Sequence, residues 1–198
     1  MKLVSHGFDP EVHRIISPTD RMKTQYGCDV SFVGCWSPKK ESLIAAILRG
    51  CRDIDLRIWG PGWRRAEREV KECWQARGAY GDELCVIYRA SKINLGLLSE
   101  AGGGTEVGDL VTVRTWQIPA AGGFMLHEDS AELHSHFSVE HEVATFNAAG
   151  DLPEQVERYL RSPEDRLRIA EAGHLRCAAN GSTYEAAAQA ICDHHDTR

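Results

Sequence analysis

The stretch DLVTVRTWQIPAAGG, residues 109–123, decides the fold that we predict for this chain. It follows the apolar run INLGLLS at 93–99 and a glycine cluster at 102–104, and it precedes a second apolar run at 124–126. This order predicts a strand, a glycine-rich loop, a helix and a further strand. In open α/β sheets, ligands bind where loops leave the carboxyl ends of the strands. The predicted helix therefore begins where a ligand is expected.

The start of that helix carries groups that suit a phosphate. A helix N-terminus offers free N–H groups and the positive end of its dipole. Thr112 is a suitable cap, and Arg114 adds a positive charge with a planar set of donors. Asp109 and Gln117 flank them with oxygens for ligand hydroxyls. A buried helix with ordinary surface polar residues explains the same stretch as well, because a glycine-rich loop alone is a weak signal.

Length and composition are typical of one globular domain. The chain has 198 residues, of which 42% are hydrophobic and 26% are charged. A net charge of −6 offers no basic surface for nucleic acid, so a bound anion would depend on local charges and backbone dipoles. No apolar run approaches the roughly 20 residues of a membrane span. The N-terminus also lacks the apolar segment of a signal peptide.

The seven cysteines indicate a reducing compartment. They form no CxxC pair and their number is odd. We therefore predict buried free thiols in a cytoplasmic protein and no disulfide framework. The cysteines are Cys28, Cys35, Cys51, Cys73, Cys85, Cys177 and Cys192.

Apolar runs alternate with helical patterns along most of the chain. Strands are predicted at 28–34, 55–59, 93–99, 124–126 and 143–146. Helices are predicted from Ser37-Pro38 to 48, over 63–77, over 82–91 with Asp82 as cap, within the central stretch, and over 151–160, 162–180 and 182–194. This alternation indicates an α/β fold with a doubly wound parallel sheet and a helical C-terminal tail. Residues 1–26 lack a periodic pattern and are predicted to be a connector before a domain at 27–198.

Two charged clusters have competing interpretations. Lys39 and Lys40 open the first predicted helix, where positive charge opposes the dipole unless an anion is nearby. Two solvated lysines are the alternative. Three histidines and two glutamates occur between residues 134 and 142, but their spacing is not that of a zinc site. We therefore predict no metal site there.

Six segments follow one another in the order and at the spacing of a known family. They are HGFDPEVHR (6–14), DVSFVGCWSPKK (29–40), DLRIWGPGW (55–63), AYGDELCVIYRASKINLGL (79–97), TVRTWQIPAAGGFML (112–126) and the tail from LPEQVERYL (152–160). Over nearly its whole length, the chain resembles the C-terminal, donor-binding half of GT-B glycosyltransferases. It is most similar to the CgeB-like, spore-maturation branch of the group-1 glycosyltransferases.

This resemblance implies a Rossmann-like domain that is one half of a GT-B fold. In the family, two such domains flank a cleft, and the C-terminal one holds a nucleotide-diphosphate sugar, commonly a uridine one. Residues 6–14 resemble the segment that joins the halves. The resemblance thus implies an acceptor domain that precedes this chain or a separate acceptor-binding chain. It implies that the donor substrate is bound without a cofactor and without a metal.

Four of the implied donor-binding residues come before the central stretch. Gly34 matches the glycine that ends the first strand, where the backbone approaches the phosphates. Lys40 matches the basic residue that pairs with the diphosphate. Ala79 and Tyr80 match the loop beside the base, where Tyr80 could stack on the ring.

The other four lie in the central stretch. Arg114 and Thr115 match the helix start near the phosphates. Asp109 and Gln117 match the two ends of a Glu-x7-Glu motif, whose first acid faces the sugar and whose second accepts both ribose hydroxyls. Asp109 is one methylene shorter than glutamate, and Gln117 has one carbonyl acceptor in place of a carboxylate. Losing one charge-assisted hydrogen bond predicts ribose binding weaker by about 1 kcal/mol.

Two functions from different classes remain open. The first is the nucleotide-sugar-binding half of a glycosyltransferase, to which no catalytic residue is assigned. The second is a non-catalytic binding or interaction module that has lost the chemistry and self-associates through uncovered apolar surface. A dinucleotide-dependent oxidoreductase is disfavoured, because no GxGxxG follows the first strand. Nucleotide binding discriminates between the first two.

Overall fold

A computed structural model describes residues 7–100 and 108–196. Five parallel strands form one sheet in the order β2-β1-β3-β4-β5. They are β1 (Val30–Val33), β2 (Leu56–Trp59), β3 (Ile93–Gly96), β4 (Met125–Glu128) and β5 (Ala144–Phe146). The helices are α1 (Asp20–Tyr26), α2 (Pro38–Gly50), α3 (Arg68–Glu72), α4 (Gly81–Ala90), α5 (Val113–Ala120), α6 (Ala131–His136), α7 (Leu152–Arg161), α8 (Pro163–Ala179) and α9 (Tyr184–Asp196).

Helices cover both faces of the sheet, as predicted. Because successive strand residues point to opposite faces, Leu126 packs in the cluster with α2 and α7, while Met125 packs in the cluster with α4 and α5. Strands that are buried on both faces are typical of parallel sheets. The predicted Rossmann-like fold with a helical tail is confirmed. No helix in the described part of the chain is long and apolar enough to cross a membrane.

The helix predicted over 63–77 is wrong. A 3₁₀ turn spans Trp63–Arg65, and the backbone is extended at Ala66 before α3 begins. Trp74 then forms an isolated parallel bridge with Ile58 of β2, so this part of the segment pairs with the sheet edge.

The cap predicted for the next helix is also wrong. Tyr80 occupies the N-cap of α4, and the Asp82 carboxylate pairs instead with Arg14 at 2.7 Å. The first strand, the Ser37 cap of α2 and the Pro38 that follows it are as predicted.

The segment before β1 is more ordered than a patternless connector. Thr19 caps α1, and its Oγ1 accepts a hydrogen bond from Met22 N at 3.3 Å. Phe8 is 5% exposed and packs with Trp116 and Cys177. Residues 7–26 therefore pack on the domain, and the boundary at residue 27 stays a prediction.

All seven cysteines are free, and four of them are buried as predicted. Cys73 is half-buried, while Cys35 and Cys192 are exposed. The predicted burial is wrong for these last two, because Cys35 lies in the loop after β1 and Cys192 lies on the outer face of α9.

Candidate functional site

The loops after β1 and β2 lie against each other at the carboxyl edge of the sheet. Gly34 N donates a hydrogen bond to Trp59 O at 2.8 Å. A Cβ built on Gly60, which has φ +133°, would lie 2.1 Å from Gly34 O. Only glycine fits at residue 60, because both its positive φ and this contact exclude a side chain.

Arg114 reaches under the same loop from the first turn of α5. Its Nη2 donates to Leu97 O at 2.8 Å, and its guanidinium lies over the Phe32 ring at 5.3 Å. A Cβ on Gly34 would lie 2.9 Å from Arg114 Nη1, so the hydrogen at residue 34 makes room for the guanidinium. Arg114 is 9% exposed, and its Nε has no hydrogen-bond partner among the described residues. Burial lowers the pKa of Arg114, although an arginine stays charged at neutral pH.

Lys40 is the second buried cation of this edge. It lies in the first turn of α2, is 5% exposed, and its N–H donates to the Ser37 cap. Burial, and after it the charge of Arg114, lowers the pKa of Lys40. Within residues 7–100 and 108–196, neither Lys40 nor Arg114 forms a salt bridge. Two buried positive charges thus lie near each other, and no carboxylate of the described residues forms a salt bridge with either.

Lys39 differs from Lys40 although the two are adjacent. Lys39 Nζ pairs with Glu128 Oε1 at 2.6 Å, and its N–H donates to Glu100 Oε1 at 3.0 Å. Glu128 Oε2 also accepts from Leu98 N at 3.2 Å. The charge of Lys39 is therefore compensated by direct contact, whereas Lys40 has no salt bridge within the described residues and feels the charge of Glu100 only at longer range.

A buried chain of hydrogen bonds fixes the start of α5. Thr112 N donates to Thr115 Oγ1 at 3.0 Å, and that oxygen lies 2.8 Å from His127 Nε2. His127 Nδ1 lies 2.6 Å from Glu128 O, which accepts only, so Nδ1 carries the proton and Nε2 accepts from the Thr115 hydroxyl. Burial lowers the pKa of His127 to about 4, which keeps the imidazole neutral at pH 7.

Sequence reasoning missed His127. Its signal is a polar residue within the apolar run FMLHE, in register with Gly96 of β3. A Cβ on Gly96 would lie 2.3 Å from the His127 ring, so this glycine makes room for the imidazole. Thr115, predicted beside the phosphates, is at the helix start, but it is fully buried and its hydroxyl faces His127.

The Ala79-Tyr80 loop borders an open cavity of about 470 Å³ next to the end of β2. Ala79 is buried beside Trp59, whereas Tyr80 is 79% exposed. The cavity is lined by Gly60, Arg64, Arg65, Trp74, Arg77 and Tyr80, among others. Because Gly60 touches Gly34, this cavity adjoins the loop beside Arg114 and offers aromatic and guanidinium surfaces to a planar ring.

The two ends of the predicted acidic motif flank α5. Asp109 lies before the helix and is exposed. Burial lowers the pKa of Arg114, and the negative charge of Asp109 acts in the opposite direction with a smaller effect. Gln117 is half-buried on α5, one turn beyond Arg114. The structure thus places Gly34, Lys40, Asp109, Arg114, Thr115 and Gln117 around α5 and the β1–α2 loop, with Ala79 and Tyr80 at the adjoining cavity.

The histidines of α6 pair with nearby carboxylates. His134 Nε2 lies 2.7 Å from Asp129, and His136 Nε2 lies 3.1 Å from Glu132. In the described ranges, no three histidine, cysteine, aspartate or glutamate side chains converge as metal ligands.

The glycosyl transferase-like family matches residues 39–193, and the chain belongs to that family. Among curated proteins, no sequence matches the chain. The fold is shared with solved structures of low sequence identity. Sucrose-phosphate synthase from Thermosynechococcus elongatus aligns with a TM-score of 0.72 and 16% identity, over 99% of this chain and 52% of that one.

Two further structures share the fold. HepE from Anabaena, solved with UDP-glucose, aligns with a TM-score of 0.75 and 11% identity, over 100% of this chain and 57% of that one. The C-terminal domain of the group 1 glycosyl transferase LpcC from Francisella tularensis aligns with a TM-score of 0.65 and 14% identity, over 90% of this chain and 100% of that one. The chain spans about half the length of the sucrose-phosphate synthase and HepE structures. Its fold is that of a GT-B half-domain.

Proposed function

We propose that this chain binds a nucleotide-diphosphate sugar as the donor half of a glycosyltransferase, within the CgeB-like branch of the group-1 enzymes. The observation that carries the proposal is the pair of buried cations, Lys40 and Arg114, which have no salt-bridge partner in the described chain. A buried charge is strongly unfavourable unless it is paired. A diphosphate at the mouth of the β1–α2 loop supplies the missing negative charge. HepE, which has this fold, was solved with UDP and with UDP-glucose.

In the proposed reaction, the bond between the sugar's anomeric carbon and the β-phosphate oxygen breaks. The electron pair leaves with the nucleoside diphosphate, while an acceptor hydroxyl forms the new glycosidic bond and releases its proton to the departing diphosphate or to solvent. Lys40, Arg114 and the N-terminus of α5 stabilise the growing charge on the diphosphate. These groups are held in place before the reaction, so little reorganisation is needed in the transition state. We assign no catalytic base to this half.

The nucleoside is proposed to occupy the adjoining cavity. Tyr80 would stack on the base, and the backbone at Ala79 would face the ring edge. Gln117, one turn along α5 from Arg114, would accept a hydrogen bond from a ribose hydroxyl, and Asp109 would face the sugar. Uracil is the proposed base, because UDP is bound by the relative HepE.

The acceptor is proposed to come from a preceding domain or a separate chain. The cleft of a GT-B enzyme needs both halves, so this chain alone is expected to bind donor and to transfer poorly. A cytoplasmic location is proposed as well, because all seven cysteines are free thiols.

Titration calorimetry with UDP tests the proposal. We expect the wild-type chain to bind, and Lys40→Met to weaken binding by about tenfold or more, because a charge-assisted hydrogen bond contributes about 1.5–3 kcal/mol. Lys23→Met is the matched control, since it removes the same charge from an exposed position on α1. Absence of binding at millimolar UDP in a folded wild-type sample, or equal loss in both variants, would overturn the proposal.

The alternative function is a non-catalytic interaction module. Leu167 and Leu175 on α8 and Ile191 on α9 are each more than half exposed, and apolar surface of this kind favours association. The same titration separates the two functions. A folded chain that associates with itself and ignores UDP would favour the module.

A further inference from the structure

Cys35 and Cys192 are the two cysteines that are exposed, and their surroundings differ. Cys35 follows Gly34, whose Cβ position lies 2.9 Å from Arg114 Nη1. It also lies two residues before Ser37, the N-cap of α2, and so stands at the helix end that carries Lys40. Cys192 lies on α9 next to Asp193, far along the chain from either buried cation.

The two cations near Cys35 have no salt-bridge partner among the described residues, although the charges of Glu100 and Asp109 act on Lys40 and Arg114 at longer range. Lys40 and Arg114 are 5% and 9% exposed and form no salt bridge in the ranges described. Burial lowers the pKa of Lys40 and that of Arg114, and a thiolate at Cys35 would act to raise both. Reactive cysteines in proteins are found in electropositive, partly exposed surroundings of this kind.

We infer that Cys35 is a covalent modification site for small disulfides that carry negative charge. Lys40 and Arg114 attract a carboxylate-bearing disulfide to the mouth of the loop, and local fields of this type raise encounter rates by about tenfold or more. The same cations stabilise the negative charge that spreads over three sulfur atoms during exchange.

The chemical step is thiol–disulfide exchange. The Cys35 thiol releases its proton to solvent, and its thiolate attacks one sulfur of the disulfide RS–SR. A new bond forms between Cys35 Sγ and that sulfur as the S–S bond breaks, and the electron pair leaves with the other half as RS⁻. Cys35 is oxidised to a mixed disulfide, and one half of the reagent is reduced to a thiol.

The adduct would occupy the place proposed for the diphosphate at the mouth of the β1–α2 loop. It would therefore block the binding of a nucleoside diphosphate. This consequence rests on the proposed function, whereas the reactivity of Cys35 does not. The site would thus couple nucleotide binding to the thiol–disulfide balance around the protein.

The test compares the two exposed cysteines in one folded protein. Cys192→Ser leaves Cys35 as the exposed thiol, and Cys35→Ser leaves Cys192. Each variant is reacted at low salt with dithiobis(nitrobenzoate), which is anionic, and with dithiodipyridine, which is uncharged. We expect Cys35 to react at least about tenfold faster than Cys192 with the anionic reagent, and the ratio to fall with the neutral one. Equal rates, or the same ratio with both reagents, would overturn the inference.

Lys40→Met in the Cys192→Ser background provides the second arm. We expect the reaction of Cys35 to slow more with the anionic reagent than with the neutral reagent, because Lys40 attracts the first and stabilises the attacking thiolate in both reactions. An unchanged anionic rate would exclude the role given to Lys40 and overturn the inference. Added UDP should protect Cys35 and leave Cys192 unaffected. Fast, charge-dependent reaction without protection by UDP would support the modification site and count against the nucleotide site.

Discussion

Thr115 Oγ1 lies 2.8 Å from His127 Nε2, so a buried hydroxyl-to-imidazole hydrogen bond ties α5 to β4. The same oxygen accepts from Thr112 N at 3.0 Å. Because Arg114 lies between these two threonines, the hydrogen bonds hold the helix turn from which its guanidinium extends to Leu97 O. Thr115 and His127 are positioning residues for the proposed anion site.

Thr115→Val should destabilise the fold and weaken UDP binding, while Thr115→Ser should do neither to the same extent. Valine has nearly the shape of threonine but leaves His127 Nε2 buried without a donor. An unsatisfied buried group costs about 1–3 kcal/mol, which urea unfolding measures. If Thr115→Val and Thr115→Ser gave the same free energy of unfolding, the hydrogen bond would have no role.

Stability should fall as the pH drops from about 6.5 to about 4. His127 has a pKa of about 4 in the folded state, against 6.5 as its ordinary value, so the unfolded chain binds more protons in this window. Its contribution is fully present above pH 6.5 and is lost as the pH falls, by on the order of 3 kcal/mol.

Urea unfolding at several pH values checks this for the wild type and for His127→Gln. The glutamine variant should lose most of the slope between pH 6.5 and 4. His134→Gln, at an exposed histidine paired with Asp129, is the control and should keep the slope. A wild-type slope that persists in His127→Gln would assign it to other groups.

Gly96→Ala should destabilise the fold through His127. The added Cβ would lie 2.3 Å from the imidazole ring, and overpacking of this kind costs about 1–3 kcal/mol. His127→Ala should relieve the clash, so the double variant should be more stable than the sum of the two single changes predicts. Additive free energies of unfolding would show that the glycine is needed for another reason.

Local sequence signals were sufficient to predict most of the strands and helices. The Ser37-Pro38 start of α2 and the alternation of apolar runs depend on neighbours in sequence, so the sequence predicted them correctly. The helix expected over 63–77 failed because Trp74 pairs with Ile58, a contact that no local pattern encodes.

The site was less predictable for the same physical reason. Lys39 and Lys40 look alike in sequence, and their difference arises because Glu128 and Glu100 reach Lys39 from two other loops. His127 matters only because Thr115 and Gly96 face it from neighbouring elements. The sequence identified the candidate residues by their type. Tertiary packing determines which of them are buried and which form salt bridges.

Gln117→Glu should strengthen UDP binding if α5 holds the ribose as proposed. A carboxylate accepts two hydroxyl protons through charge-assisted bonds, and the gain of about 1 kcal/mol corresponds to about fivefold in affinity. Calorimetry with UDP and with 2′-deoxy-UDP measures it, because a gain through the ribose hydroxyls must shrink when one of them is missing. Gln25→Glu, at an exposed position on α1 away from the cavity, is the control for the added charge. An equal gain with both nucleotides, or weaker binding of both, would show that Gln117 does not contact the ribose hydroxyls. Lys40 and Arg114 would then remain the proposed basis of nucleotide binding.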